Sequence, residues 1–186
     1  ALRCRRGRYG YTPPRMSAAP TDPVSLPSDP DLADPPPGWR AGPRLRLPSP
    51  EATGALAARL SALLRPGDTV LLQGQLGAGK SHFARAAIRA LIGPGGDRAE
   101  VPSPTFTLVQ VYDTASGEVW HADLYRLTDP GEAEELGLEA AMEEAICLVE
   151  WPDRLAPDWP EGAVGLRLAA DPDDPEARQV TLIAPE

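Results

Sequence analysis

The stretch Thr69-Val70-Leu71-Leu72-Gln73-Gly74-Gln75-Leu76-Gly77-Ala78-Gly79-Lys80-Ser81 decides the fold. Thr69 to Gln73 is short and mostly apolar, as a buried strand is. Gly74 to Ser81 then matches G-x-x-x-x-G-K-[ST], a phosphate-binding loop. Phe83, Ala87, Ile88 and Leu91 follow at helical spacing, which predicts a helix from about Lys80 to Leu91, stopped by Gly93-Pro94-Gly95-Gly96. Strand, glycine loop and helix, in that order, are the context the motif requires. The glycines let successive backbone N–H groups turn inward, and the helix N-terminus adds partial positive charge. Lys80 is expected to reach the β- and γ-phosphates of ATP, and the Ser81 hydroxyl to ligate Mg²⁺.

Composition supports the weight placed on Lys80. Of the 18 basic residues, 17 are Arg and one is Lys. A chain so biased toward Arg has kept its lysine inside the phosphate loop, where a compact point charge on a flexible stem does what a planar guanidinium does not. The net charge is −9, which argues against a general nucleic-acid-binding surface. Residues 1–15 carry five arginines and no acid, so the remainder of the chain stands at −14. No apolar run is long enough to span a bilayer, so no membrane association is expected. Cys4 and Cys147 lie in different contexts. Cys147, within Ile146-Cys147-Leu148-Val149, is expected to be a buried reduced thiol. A cytoplasmic home fits this cysteine usage.

Working outward, residues 1–42 are proline-rich, lack a periodic apolar face and are expected to be a disordered tail. The start is expected at or near Met16, with a short RNA-touching basic arm as the alternative for residues 1–15. Order is expected from Arg44, with Arg44 to Leu47 as an edge strand. Ser49 caps a helix opening at Pro50, with Leu56, Leu60, Leu63 and Leu64 as its stripe and Pro66-Gly67-Asp68 as its end. Thr105–Tyr112 and Glu118–Tyr125 pattern as a hairpin. Residues 131–144 pattern as a helix with acids near its start. Ile146–Val149 is a short buried strand, and Val164–Leu168 and Gln179–Ile183 are two closing strands. The expectation is an α/β fold: a single P-loop NTPase domain over residues 43–186, with a mixed parallel and antiparallel sheet flanked by helices.

A magnesium site in such a domain needs a second protein oxygen, from an acid at the end of a buried strand. Glu150 and Asp123 are the candidates. Alternation puts His121, Asp123 and Tyr125 on one strand face. Ser103-Pro104-Thr105 is a rigid approach to a strand, where P-loop proteins place a loop that senses the γ-phosphate. The only Lys or Arg from Val101 to Ala145 is Arg126, and no arginine finger is evident near the loop, so the site is expected to be slow alone.

Four blocks together resemble one family. They are Gly74 to Ser81, then Ser103-Pro104-Thr105-Phe106-Thr107-Leu108-Val109 with Tyr112, then His121-Ala122-Asp123-Leu124-Tyr125-Arg126-Leu127, and Glu150-Trp151-Pro152. Over about Leu45 to Ile183 the chain is similar to the bacterial TsaE (YjeE) ATPases of tRNA threonylcarbamoyladenosine formation. The resemblance implies weak intrinsic ATP hydrolysis raised by the partners TsaB and TsaD, with tRNA engaged only indirectly through that complex. It implies Ser81 and Glu150 as magnesium ligands, Lys80 on phosphate, Asp123 in support of hydrolysis and Thr105 in a switch-like loop. The nucleotide would contact Gly74, Gln75, Leu76, Gly77, Ala78, Gly79, Lys80 and Ser81, with Trp151 beside the site and Thr53 near it. Two departures stand out. Gln75 replaces an acid, and Ser81-His82 replaces Thr-Thr. Two other classes remain open: a small-molecule kinase, which needs a basic lid, and a nucleotide-dependent scaffold without useful hydrolysis.

Overall fold

The structure is a computed structural model that describes residues 35–129, 131–155 and 159–186. The expectations for residues 1–34, Met16 and Cys4 among them, lie outside the described residues. Seven strands form one sheet in the order β1-β7-β6-β2-β5-β4-β3. They are β1 (Trp39–Leu47), β2 (Thr69–Gln73), β3 (Val109–Thr114), β4 (Gly117–Asp123), β5 (Ile146–Glu150), β6 (Val164–Ala170) and β7 (Arg178–Pro185). The four central strands β6, β2, β5 and β4 run parallel, and β1, β7 and β3 add antiparallel edges. The helices are α1 (Pro50–Ser61), α2 (Lys80–Ile92), α3 (Gly131–Glu135) and α4 (Leu138–Glu144). The fold is α/β with a mixed sheet, as the sequence predicts.

Two apolar layers sandwich the sheet. Val70 and Leu72 of β2 face α1 and α2, with Phe83 and Ile88 fully buried against them. Leu71 points the other way, toward Trp120, Leu138 and Val149. Burial on both faces explains why β2 and β5 are near-continuous apolar runs.

Several boundaries differ from expectation. β4 ends at Asp123 rather than Tyr125, which lies in the turn beyond the strand and off the strand face where alternation puts it. Four others have a physical reason. β1 starts at Trp39 rather than Arg44. Its pairing with β7 runs from Trp39 opposite Pro185, with a register shift between Ala41 and Arg44. That irregularity accommodates Pro43, which has no N–H to donate and hides the strand in the sequence. Trp39 is held edge-on against Trp159, ring centroids 5.1 Å apart. α1 begins as expected, with the Ser49 hydroxyl accepting from Ala52 N at 3.3 Å. It ends at Ser61, before Pro66, and its buried face is Thr53, Ala57 and Ser61. Leu63, expected on its buried stripe, lies beyond the helix end in the turn and is 72% exposed. β3 starts at Val109, since residues 104–107 form a turn rather than strand. The helix expected over 131–144 is two, broken where Gly137 takes φ 72°.

The consequence for function lies at the carboxyl ends of the parallel strands. The phosphate loop leaves β2, Asp123 ends β4 and Glu150 ends β5, and Asp123 is registered opposite Glu150. Ligands of open α/β sheets bind at this edge.

Candidate functional site

A cavity of about 500 Å³ opens at that edge. Its floor is the phosphate loop. Gly79 caps α2 at φ 104° and Gly74 bends out of β2 at φ 140°, left-handed conformations that glycine adopts without a side-chain penalty. Gly74, Gln75 and Ala78 form the back of the loop, while Leu76, Gly77, Gly79, Lys80 and Ser81 line the cavity.

Lys80 is 4% exposed, yet its ammonium is placed by three groups. Nζ donates to Gly74 O at 2.6 Å and Gln75 O at 2.8 Å, and lies 3.7 Å from the centre of the Trp151 ring. A cation against an indole face is attracted by the ring quadrupole. Trp151 takes φ 60°, a left-handed conformation unfavourable for an aromatic residue, and so turns its ring over the loop. The Tyr125 ring packs against that of Trp151 at a tilt, their centroids 4.9 Å apart.

Ser81 Oγ donates to Glu150 Oε2 at 2.7 Å. Adjacent oxygens around a six-coordinate magnesium ion are about 2.9 Å apart, from metal–oxygen distances near 2.0–2.1 Å. These two side chains therefore fit neighbouring corners of one coordination sphere. No group of three or more His, Cys, Asp or Glu that could hold a metal occurs among the described residues. A hard cation held by one or two protein oxygens, with the rest of its shell from phosphate and water, matches that donor set.

Asp123 is 4% exposed and fully engaged. Oδ2 accepts from the Thr105 hydroxyl at 2.6 Å, and Oδ1 accepts from Tyr125 N at 3.1 Å. Ser103 Oγ lies 2.9 Å from Thr105 Oγ1. The Ser103–Leu108 turn is thus tied to the β4 end. Leu108 closes it at φ 63°, accepting Asp123 N at 2.8 Å. Thr53 lines the cavity from α1, although its hydroxyl donates to Ser49 O at 3.3 Å. His82 lies beside it, Nε2 being 2.9 Å from Pro50 O.

Of the residues expected at the nucleotide, Thr53, Leu76, Gly77, Gly79, Lys80, Ser81, Thr105, Asp123, Glu150 and Trp151 line the cavity, whereas Gly74, Gln75 and Ala78 do not. Three groups were not foreseen in this arrangement. His121 is fully buried, with Nε2 at 2.8 Å from Glu150 Oε1. Arg178 of β7 lines the cavity, its Nη2 lying 3.4 Å from Gly77 O. Arg85, one turn into α2, lines it too. Two arginines thus line a cavity near which no arginine finger was evident from the sequence. Arg178 arrives from 101 residues downstream by strand pairing, which local sequence does not reveal.

The family model described as threonylcarbamoyl adenosine biosynthesis protein TsaE matches residues 47–180. A relative from Rickettsia felis, named tRNA threonylcarbamoyladenosine biosynthesis protein TsaE, is 43% identical over 109 residues, which is 59% of this chain and 62% of the relative. The chain thus spans less than two thirds of that relative's length. Relatives of the same name from Rickettsia bellii and Bacillus subtilis are 37% and 34% identical, over 73% and 75% of this chain and 92% and 84% of theirs. A solved structure, titled as the crystal structure of Bacillus subtilis YdiB, superposes with a TM-score of 0.59 at 27% identity, covering 78% of this chain and 88% of that one. The family model spans most of the chain and relatives of that name match it over most of their length, and the chain belongs to the TsaE family.

Proposed function

We propose that the chain is a magnesium-dependent ATP hydrolase that acts with TsaD and TsaB in forming threonylcarbamoyladenosine next to the tRNA anticodon. The observation that carries this reading is the 2.7 Å approach of Ser81 Oγ to Glu150 Oε2 beside the buried Lys80 ammonium. Magnesium, when bound, would neutralise charge on the β- and γ-phosphates. Lys80 supplies the fixed positive charge, and the loop amides and α2 N-terminus supply donors that need no reorganisation. Asp123 is the group placed to orient a water. Both of its oxygens already accept hydrogen bonds, one of them from Thr105. That supports a site slow on its own, made competent when a partner shifts the Ser103–Leu108 turn. The tRNA would be engaged through the partners rather than by this chain.

The test is ATP hydrolysis by the purified protein, with and without TsaB and TsaD. Stimulation of tenfold or more by the pair, lost in Lys80→Ala, is expected. Turnover at tens per second without partners would sink the partner-stimulated reading. Tight ATP binding with no stimulation would move the function to a kinase or a scaffold.

A further inference from the structure

The two carboxylate oxygens of Glu150 have different partners. Oε2 faces Ser81, and Oε1 faces His121 Nε2 at 2.8 Å. His121 has no exposed surface, and its Nδ1 finds no hydrogen-bond partner among the described residues. Two lone pairs facing each other at 2.8 Å would repel, so Nε2 carries the proton and donates to the carboxylate. The contact is set by the sheet. His121 is registered opposite Leu148 on the parallel strand β5, so Glu150 is its diagonal neighbour two residues on.

An apolar side chain would fill the same space between β4 and the adjoining layer without stranding a buried ring nitrogen. The hydrogen bond to Glu150 is thus what the imidazole adds. We infer that His121 is a positioning residue that locks the Glu150 carboxylate with one oxygen turned to the cation position beside Ser81. This rests on the proposed magnesium-nucleotide reading of the cavity. Carboxylates that ligate cations depend on such outer partners, whose loss lowers metal affinity by about 10–100-fold. With His121 in place, Glu150 cannot swing about its last torsion, and Oε1 is withheld from the ion.

Calorimetric binding of the non-hydrolysable analogue AMP-PNP, in magnesium and in EDTA, tests this without turnover. The readout is the ratio of the two affinities. His121→Phe and His121→Met, which cannot donate, are expected to lower that ratio about 10–100-fold while leaving the EDTA affinity within about twofold. His121→Gln, whose amide nitrogen can donate toward Oε1, is expected to restore most of it. Should the phenyl ring not be accommodated, Met, which adapts to irregular space, carries the comparison with Gln. A full ratio in the non-donor variants would overturn the inference, leaving His121 as filling. So would a folded Gln variant that behaves as Met does. Glu150→Ala separates the two claims. If it keeps the full magnesium enhancement, the cation reading of the cavity falls and this inference falls with it.

Discussion

At the residue scale the loop glycines are not equivalent. A Cβ on Gly74 would sit 2.1 Å from the Leu168 carbonyl oxygen, with φ at 140°. Backbone on β6 cannot yield that distance, so β2 and β6 would have to part just where the loop begins. Gly77, at φ 80°, has nothing within 4 Å of the corresponding position. Gly74→Ala is therefore expected to cost on the order of 3 kcal/mol, combining overpacking and a forbidden dihedral, and to abolish ATP binding. Gly77→Ala is expected to cost only about 1 kcal/mol, the left-handed penalty alone. Urea unfolding of the two variants gives the comparison. Equal costs would mean that the β6 contact does not govern the loop. The same contrast explains what the sequence disclosed at this scale. The places of Lys80 and Ser81 in the cavity were legible because they follow from a local motif. Glu150 was legible as the acid ending an apolar run. The partnership of His121 with Glu150 was not, because it depends on the parallel register of two strands with 22 residues between them. Alternation placed His121 on the right face but could not say what would meet it there.

At the element scale, the β6–β7 connection is fastened to the rest of the sheet through charge. Arg46 of β1 donates from Nε to Asp171 at 2.9 Å and from Nη2 to Asp174 at 3.1 Å. Asp171 is buried to 5% side-chain exposure. Burial pushes its carboxyl up, but the Arg46 hydrogen bond, aided by Asp173 N and Gln179, more than offsets this and holds it below its ordinary value of 3.8. A depressed carboxylate stabilises the fold above its unfolded pKa, and that contribution disappears as pH falls through the folded value. Arg46→Ala is thus expected to lower the urea midpoint at neutral pH. The deficit should narrow as pH falls below the ordinary carboxylate range and through the depressed folded-state value, where Asp171 takes up its proton. A deficit that stays constant down to pH 2 would show that Arg46 acts through packing of its stem rather than its charge. The connection matters to the site because it leads into Arg178, whose guanidinium reaches Gly77 O. Element type was legible for all the central strands, since buried parallel strands write themselves as apolar runs. The edges were less so. Pro43 masked the start of β1, and Gly137, a single left-handed residue, divided what helical spacing alone joins.

At the scale of the whole molecule, charge decides whether this chain can itself bind tRNA. Residues 16–186 carry −14, while the cations that face the cavity, Lys80, Arg85 and Arg178, are gathered at one strand-end cleft. Binding to nucleic acid draws on phosphates neutralised by Lys and Arg over an extended track, with counterion release as the driving term. A cleft of about 500 Å³ takes a nucleotide's phosphates and not a duplex backbone. Elsewhere an acidic surface repels tRNA over a distance of about 8 Å at physiological salt. The isolated chain is therefore expected to bind tRNA no more tightly than the weak end of non-specific association, about 10⁻⁴ M, in 150 mM salt. Fluorescence anisotropy of labelled tRNA measures this directly. Any binding that remains should depend on the five arginines of residues 1–15 and vanish when those residues are removed. Micromolar binding by residues 16–186, weakening steeply as salt is raised, would instead reveal a basic track that the charge distribution denies. It would place the tRNA on this chain, against the proposed function in which other proteins hold it.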